Sequence, residues 1–171
     1  MLIIGVDPGL ATVGVGVVEA VGNRFRALEY GSIITRPRQL LENRLAQIYD
    51  KLTEIIIRHK PDVMAVEELF FNTNQKTEVA VAQARGVILL AAQKQGLDIY
   101  EYTPLQIKQS VVGYGRAEKK QVIYMTRVIL KLDEDPRPDD TADALAVAIC
   151  HGNYALLGPG LAGAAAGRSK R

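Results

Sequence analysis

The chain has 171 residues, 48% of them hydrophobic and 23% charged, which suits one folded domain with its own core and excludes general disorder. Its 21 basic and 19 acidic side chains leave a formal charge of +2, too little for whole-chain attraction to nucleic acid, so any such attraction has to come from local clustering. A single cysteine, Cys150, excludes an internal disulfide, and no apolar run reaches the roughly 20 residues of a membrane span. The N-terminal MLIIGVDPG has no basic stretch and meets an acid and Pro-Gly at once, so it does not read as a secretion signal; a cytoplasmic protein is expected.

Leu2 to Val6 is a short apolar run stopped by Asp7-Pro8-Gly9, the pattern of a buried strand ending in a turn. Thr12 to Glu19 and Phe25 to Ile34 read as two further strands, joined by the hairpin signal Val21-Gly22-Asn23. From Gln39 to His59 the apolar period becomes helical, through Leu41, Leu45, Ile48, Leu52, Ile55 and Ile56, and Pro61 ends it. Val63 to Val66 is a fourth strand, Thr77 to Lys94 a helix stopped by Gly96, and Asp98 to Tyr102 a fifth strand. Thr103-Pro104 looks like an N-cap with proline at the first helical position, opening a short helix to about Val112. Ala117 to Leu132 and Thr141 to Leu157 complete the helices, and Gly158 to Arg171 reads as a Gly/Ala-rich basic tail. The expected organisation is one α/β domain over 1–157 with a flexible basic tail over 158–171. Strand–helix–strand order demands parallel crossovers among the first, fourth and fifth strands, giving a five-stranded mixed sheet flanked by helices.

The acids gather where such a sheet places its site. Asp7 follows LIIGV and Glu67 follows VMAV; parallel neighbours would bring both carboxylates out at one sheet edge, at the carboxyl ends of the strands. Side chains alternate along a strand, so only one of Glu67 and Glu68 can share that edge. The third group is RPDDTADALAVA, in which Asp140 and Asp143 lie three apart, and Asp139 and Asp143 four apart, on one helical face. A helix start also stabilises acids through its dipole, so on local grounds Asp139 or Asp140 serves equally well as an N-cap. Carboxylates that converge repel unless cations neutralise them. Hard oxygen donors without a His or Cys cluster point to Mg²⁺, with Mn²⁺ as a substitute, and two such ions about 4 Å apart can activate water against a phosphodiester. His59 and His151 lack ligand spacing and read as structural or surface residues, and Cys150 as a buried thiol.

The basic charge is concentrated too. From Thr103 to Lys131 six cations (Lys108, Arg116, Lys119, Lys120, Arg127 and Lys131) face the single acid Glu118, as a phosphate-binding surface requires; an ordinary solvated helix face is the alternative. Gly113-Tyr114-Gly115-Arg116 would let backbone approach a phosphate closely. The helix Thr77 to Lys94 is apolar nearly all round, which predicts burial on two sides, against the sheet and against a partner subunit, or else a central place in a monomer.

Five segments in order, IIGVDPG, VEELF, QARGV, QIKQSVVGYGRAEKKQV and DDTADALAVAI, resemble the RuvC family of Holliday-junction resolvases over about Leu2 to Ile149. The resemblance implies an RNase H-like fold, a homodimer, Mg²⁺-dependent cutting of four-way DNA junctions and a branch-migration helicase complex as partner. By position it assigns four catalytic metal ligands to Asp7, Glu67, Asp140 and Asp143. Some members carry His at the third of these; here Asp140 removes that imidazole. Lys108 and Lys119 match basic positions of the family and are expected, with Arg116 and Lys120, to bind DNA. The family's aromatic sits three residues after its strand-end Glu, which is Phe70 here, expected to stack on unpaired bases, with Phe71 left to packing. An RNase H-like nuclease acting on RNA and a non-cleaving junction-binding module are the alternatives; an actin-like kinase would need a second lobe that 171 residues do not provide.

Overall fold

The structure, a computed structural model, describes residues 1–69 and 75–158, with backbone alone for 75–77. Three strands open the chain: β1 (Leu2–Asp7), β2 (Thr12–Val21) and β3 (Arg24–Ile34). They form an antiparallel meander whose hairpin turns at Gly22, at φ +57°. Then follow α1 (Leu41–His59), β4 (Val63–Glu67), α2 (Gln75–Lys94) and β5 (Asp98–Tyr102). The chain closes with α3 (Pro104–Val112), α4 (Lys119–Leu130) and α5 (Asp139–Leu156). The sheet order is β3-β2-β1-β4-β5, with β4 parallel to both β1 and β5, as the crossovers demand.

The two sheet faces carry separate cores. Alternation sends Ile4 and Val6 of β1, with Val13, Val15 and Val17 of β2, toward Ile48 and Leu52 of α1 and Ile88 of α2. Ile3, Val18 and Ala65 face the other way, onto Leu145 and Ile149 of α5, Ile107 of α3 and Val122 of α4. The pairing of β2 with β3 shifts register between Val17 and Val18.

Helix ends differ from the sequence expectation for identifiable reasons. The last long helix begins at Asp139 rather than Thr141, with Pro138 at its N-cap. The fourth begins at Lys119 rather than Ala117, because Glu118 and Gln121 close a capping box, and Lys131 ends it in a left-handed conformation. Thr103 caps α3 as expected, its hydroxyl accepting from the Gln106 amide at 3.2 Å. The central helix is α5, buried along nearly its whole length, whereas α2 buries one face through Ala84, Ile88, Ala91 and Ala92.

Three glycines let α5 approach the sheet. A Cβ at Gly5 would stand 2.0 Å from the Ala144 carbonyl oxygen, and one at Gly14 1.9 Å from that of Asp140. A Cβ at Gly16 would meet the Leu145 side chain at 2.6 Å. The first two obstacles are backbone and cannot rotate away. Gly14→Ala is therefore expected to destabilise the fold by about 2–4 kcal/mol in chemical denaturation, whereas Gly31→Ala, whose Cβ meets nothing within 4 Å, should cost little.

Candidate active site

The site begins with two strand ends. Val6 pairs with Val66 in the parallel ladder, so Asp7 and Glu67 follow side by side at the carboxyl edge of the sheet. Glu68, one residue on, is exposed, and its backbone amide continues the edge by donating to the Tyr102 carbonyl at 2.9 Å. Alternation thus selects Glu67 for this edge. Asp7 also pairs with Gly14 of β2, the glycine on which the first turn of α5 rests. A 2.9 Å hydrogen bond between the Ser32 and Thr141 hydroxyls fixes that turn against β3. Asp140 and, one turn later, Asp143 are thereby carried to the strand ends.

The carboxylates interact strongly. Burial, followed by the charges of Glu67, Asp143 and Asp140, pushes the Asp7 carboxyl up to about 8. Burial and Asp143 push Glu67 up to about 7, against the opposing pull of Lys119 and Lys108. Asp143 is raised by burial as well, with Lys119 opposing. Asp140 acts on Asp7 and Asp143; Asp139 acts on Asp143 as well, and lies 3.5 Å from Arg137 and 3.9 Å from Lys119.

Lys119 stands in the middle of this charge. Its Nζ donates to Asp143 Oδ2 at 2.8 Å. Burial works against its charge, but the bond to Asp143 and the fields of Asp143, Asp139 and Asp7 outweigh it and raise its pKa. Lys108 and Lys119 line, with Glu67 and Asp143, a cleft of about 250 Å³ floored by Pro104, Ile107 and Val122. Arg116 and Lys120 are exposed beside it, on the loop before α4 and in the first turn of α4, and do not line the cleft. Phe70 and Phe71 lie outside the described residues, as do positions 159–171 of the expected tail.

The donor chemistry fits a hard divalent cation: carboxylate oxygens only, with three acids raising the pKa of Asp7 and one lysine opposing it. Glu67 and Asp143 line the cleft and Asp140 a neighbouring groove; among the described residues no group of three or more His, Cys, Asp or Glu is near enough to hold a metal ion. Neither histidine belongs to the set. His59 is bound to Glu29 at 2.6 Å, and His151 is buried, sharing a 2.8 Å hydrogen bond with Tyr102 and held neutral by burial, its pKa pushed down to about 4. Cys150 is buried, and burial pushes its thiol up to about 12.

Sequence patterns missed one neighbour of the site. Arg44, in the first turn of α1, lines a separate groove together with Asp140 and the turn after β1. In the sequence it is one of the charges between the apolar positions of a helix, and its partner Thr35 lies beyond the end of a strand. Only the packing of α1 joins them.

The raised acids have a consequence for stability. Folded Asp7 and Glu67 titrate near 8 and 7, above their ordinary 3.8 and 4.5, so between about pH 4 and 8 the native state binds more protons than the unfolded chain. Stability supplied by protonation is present at the acidic end and lost as pH rises through the folded values. Asp7→Asn should therefore raise Tm more at pH 8.5 than at pH 5 without divalent cations, by several degrees at about 2–4 °C per kcal/mol. An equal Tm change at both values, read by calorimetry, would contradict this electrostatic picture.

Comparison with known proteins gives the family. The sequence profile of crossover junction endodeoxyribonuclease RuvC matches residues 3–151. The chain is 54% identical over 151 residues to the protein of that name from Alkaliphilus metalliredigens, covering 88% of this chain and 92% of that one. It is 57% identical over 155 residues to the one from Moorella thermoacetica, covering 91% and 93%. The Thermus thermophilus RuvC structure superposes with a TM-score of 0.86 at 38% identity, over 92% of this chain and 96% of that one. T. thermophilus RuvC in complex with Holliday junction substrate superposes at 0.89 with 36% identity, over 97% and 98%. The yeast mitochondrial Holliday junction resolvase Ydc2, at 11% identity and a TM-score of 0.67, shares the fold alone. Sheet order, helix placement and these matches agree: the chain has the RNase H-like fold and belongs to the RuvC family of crossover junction endodeoxyribonucleases.

Proposed function

We propose that this chain resolves four-way DNA junctions by two symmetric, metal-dependent phosphodiester hydrolyses during recombination and repair. The observation that carries the reading is the electrostatically coupled set of carboxylates Asp7, Glu67, Asp140 and Asp143, of which Glu67 and Asp143 line a cleft with Lys108 and Lys119, in a chain of this family. The four acids would hold Mg²⁺, two ions per site with Mn²⁺ as a substitute, supplying Lewis-acid activation of water and neutralisation of phosphate charge. Asp7 and Glu67, held near 8 and 7 by burial and mutual repulsion, have much to gain from a bound cation. With a cation held by Asp143, Lys119, now 2.8 Å from that carboxylate, would be free to donate its Nζ to a phosphate oxygen. Lys108 binds the same backbone from α3, and the pair stabilises charge that develops as the P–O bond breaks. Asp140 stands where some relatives have His, and both histidines are engaged elsewhere, so a carboxylate accepts the proton of the attacking water.

Arg116 and Lys120 extend the positive surface beyond the cleft, and Phe70, three residues past Glu67, stacks on bases unpaired at the junction centre. Two cuts on a two-fold symmetric junction call for a two-fold dimer. The outward face of α2 supports one: Val79 is 60% and Leu90 52% exposed, and Gly86 lies between them with open space at its Cβ. A branch-migration helicase complex delivers the junction, in the cytoplasm. Among the described residues no helix is long and apolar enough to cross a membrane.

One assay tests this reading. Purified protein is incubated with a labelled four-way junction, a linear duplex and a structured RNA, with Mg²⁺ or with EDTA. Paired symmetric nicks are expected in the junction alone, and only with Mg²⁺. Asp7→Asn should lose cleavage by about a thousandfold or more while still binding the junction, and Phe70→Ala should lose cleavage without a change in Tm. Preferential cutting of RNA, or binding without cutting by the wild type, would overturn the reading in favour of the corresponding alternative.

A further inference from the structure

A groove of about 510 Å³ opens on the α1–α2 side of the carboxylates, sharing no lining residue with the Lys108–Lys119 cleft. Its walls are the turn Gly9 to Thr12 after β1, Val81 of α2, Asp140 and Arg44. Asp140 borders this groove and Asp143 the cleft, so the acidic set lies between the two. A strand crossing the acids runs from one into the other.

Arg44 is held in a specific way. Thr35, 2% exposed, donates its hydroxyl proton to the Leu10 carbonyl at 2.6 Å, and its amide donates to Ala11 at 3.0 Å. The lone pair of that hydroxyl then accepts from Arg44 Nε at 2.7 Å. The guanidinium is thus fixed by its Nε, while its two Nη groups, the fork that matches phosphate oxygens, have no hydrogen-bond partner among the described residues. Among the described residues no carboxylate pairs with Arg44 within 4.0 Å. A half-buried arginine beside a groove, anchored at one nitrogen and without a direct carboxylate partner among the described residues, is organised for an anion. The turn to which it is anchored is the one that follows Asp7, so the cation and the acid are tied to the same five residues of chain.

We propose that Arg44 binds a backbone phosphate of the DNA strand on the side of the cut opposite Lys108 and Lys119, with Thr35 as its positioning residue. The proposal rests on the junction-cutting reading above. The scissile strand is then gripped by cations on both flanks, which fixes its path over Asp7 and Glu67.

The test uses full-length protein carrying Asp7→Asn, so that the junction stays intact. Junction affinity is measured against salt for Arg44, Arg44→Gln, Arg44→Lys and Thr35→Val, together with the Tm of each. Arg44→Gln should weaken binding roughly tenfold and flatten the slope of log K against log salt by about 0.7–0.9, the share of one phosphate contact. Arg44→Lys should restore the slope, and Thr35→Val should keep the slope at lower affinity. Neutral methylphosphonates placed singly around the cut should reveal one position that weakens the Arg44 protein and leaves Arg44→Gln indifferent. Arg44→Gln with unchanged slope and an unchanged methylphosphonate profile, whether or not its Tm falls, overturns the proposal. An Arg44 protein with no preference for the junction over linear duplex overturns the junction-cutting reading itself, a result visible before any variant is compared.

Discussion

A helix can lie with its backbone against a sheet only where the sheet presents no side chains, and the rest of the site depends on that condition. Gly5, Gly14 and Gly16 meet it on two adjacent strands, and the first turn of α5 settles onto Gly14 at a distance no Cβ would allow. Gly14 is the partner of Asp7 across the β1–β2 ladder. The close packing that seats the helix therefore sets its acids beside the strand-end acids. Lifting α5 by the thickness of one methyl group would widen the gap between Asp140 and Asp7 and weaken the field that couples them.

That arrangement is costly for the fold. Four carboxylates are brought toward one place, and two of them are raised to about 7 and 8 by burial and mutual repulsion. Lys119 offsets part of the charge through Asp143, and two extensive apolar cores, one on each face of the sheet, supply the stability that the site subtracts. The same strain suits the site to the proposed cation: carboxylates uncomfortable near neutral pH would gain most from arriving positive charge. A stable fold and a reactive site are in tension here, as they are wherever function requires like charges to be held together.

Much of this was legible in the sequence, for physical reasons that can be named. Asp7 and Glu67 end apolar runs, and the strand–helix–strand order makes those runs parallel, so their convergence follows from topology. Period-two alternation separates Glu67 from Glu68. Asp140 could not be separated from Asp139 by pattern, because both suit a helix N-terminus; in the structure Asp140 acts on Asp7, and Asp139 lies 3.5 Å from Arg137. The bond of Lys119 to Asp143 spans 24 residues and two helices, and no local pattern encodes it. Arg44 and Thr35 were invisible for the same reason, since their contact depends on how α1 docks against the loop after β1. The exposed face of α2 shows the converse: an almost wholly apolar helix whose outer side, at Val79 and Leu90, the described residues leave uncovered.

The central claim is that Asp7, Glu67, Asp140 and Asp143 together hold the divalent cations that cut DNA. The most direct measurement is an anomalous difference map from crystals of the protein grown with Mn²⁺. The account predicts density between these carboxylates, with oxygens of Asp7, Glu67 and at least one α5 aspartate at about 2.0–2.3 Å, and Lys119 Nζ withdrawn from Asp143. Mn²⁺ bound elsewhere, with the Lys119–Asp143 bond intact and the cleft free of metal at saturating concentration, would contradict it.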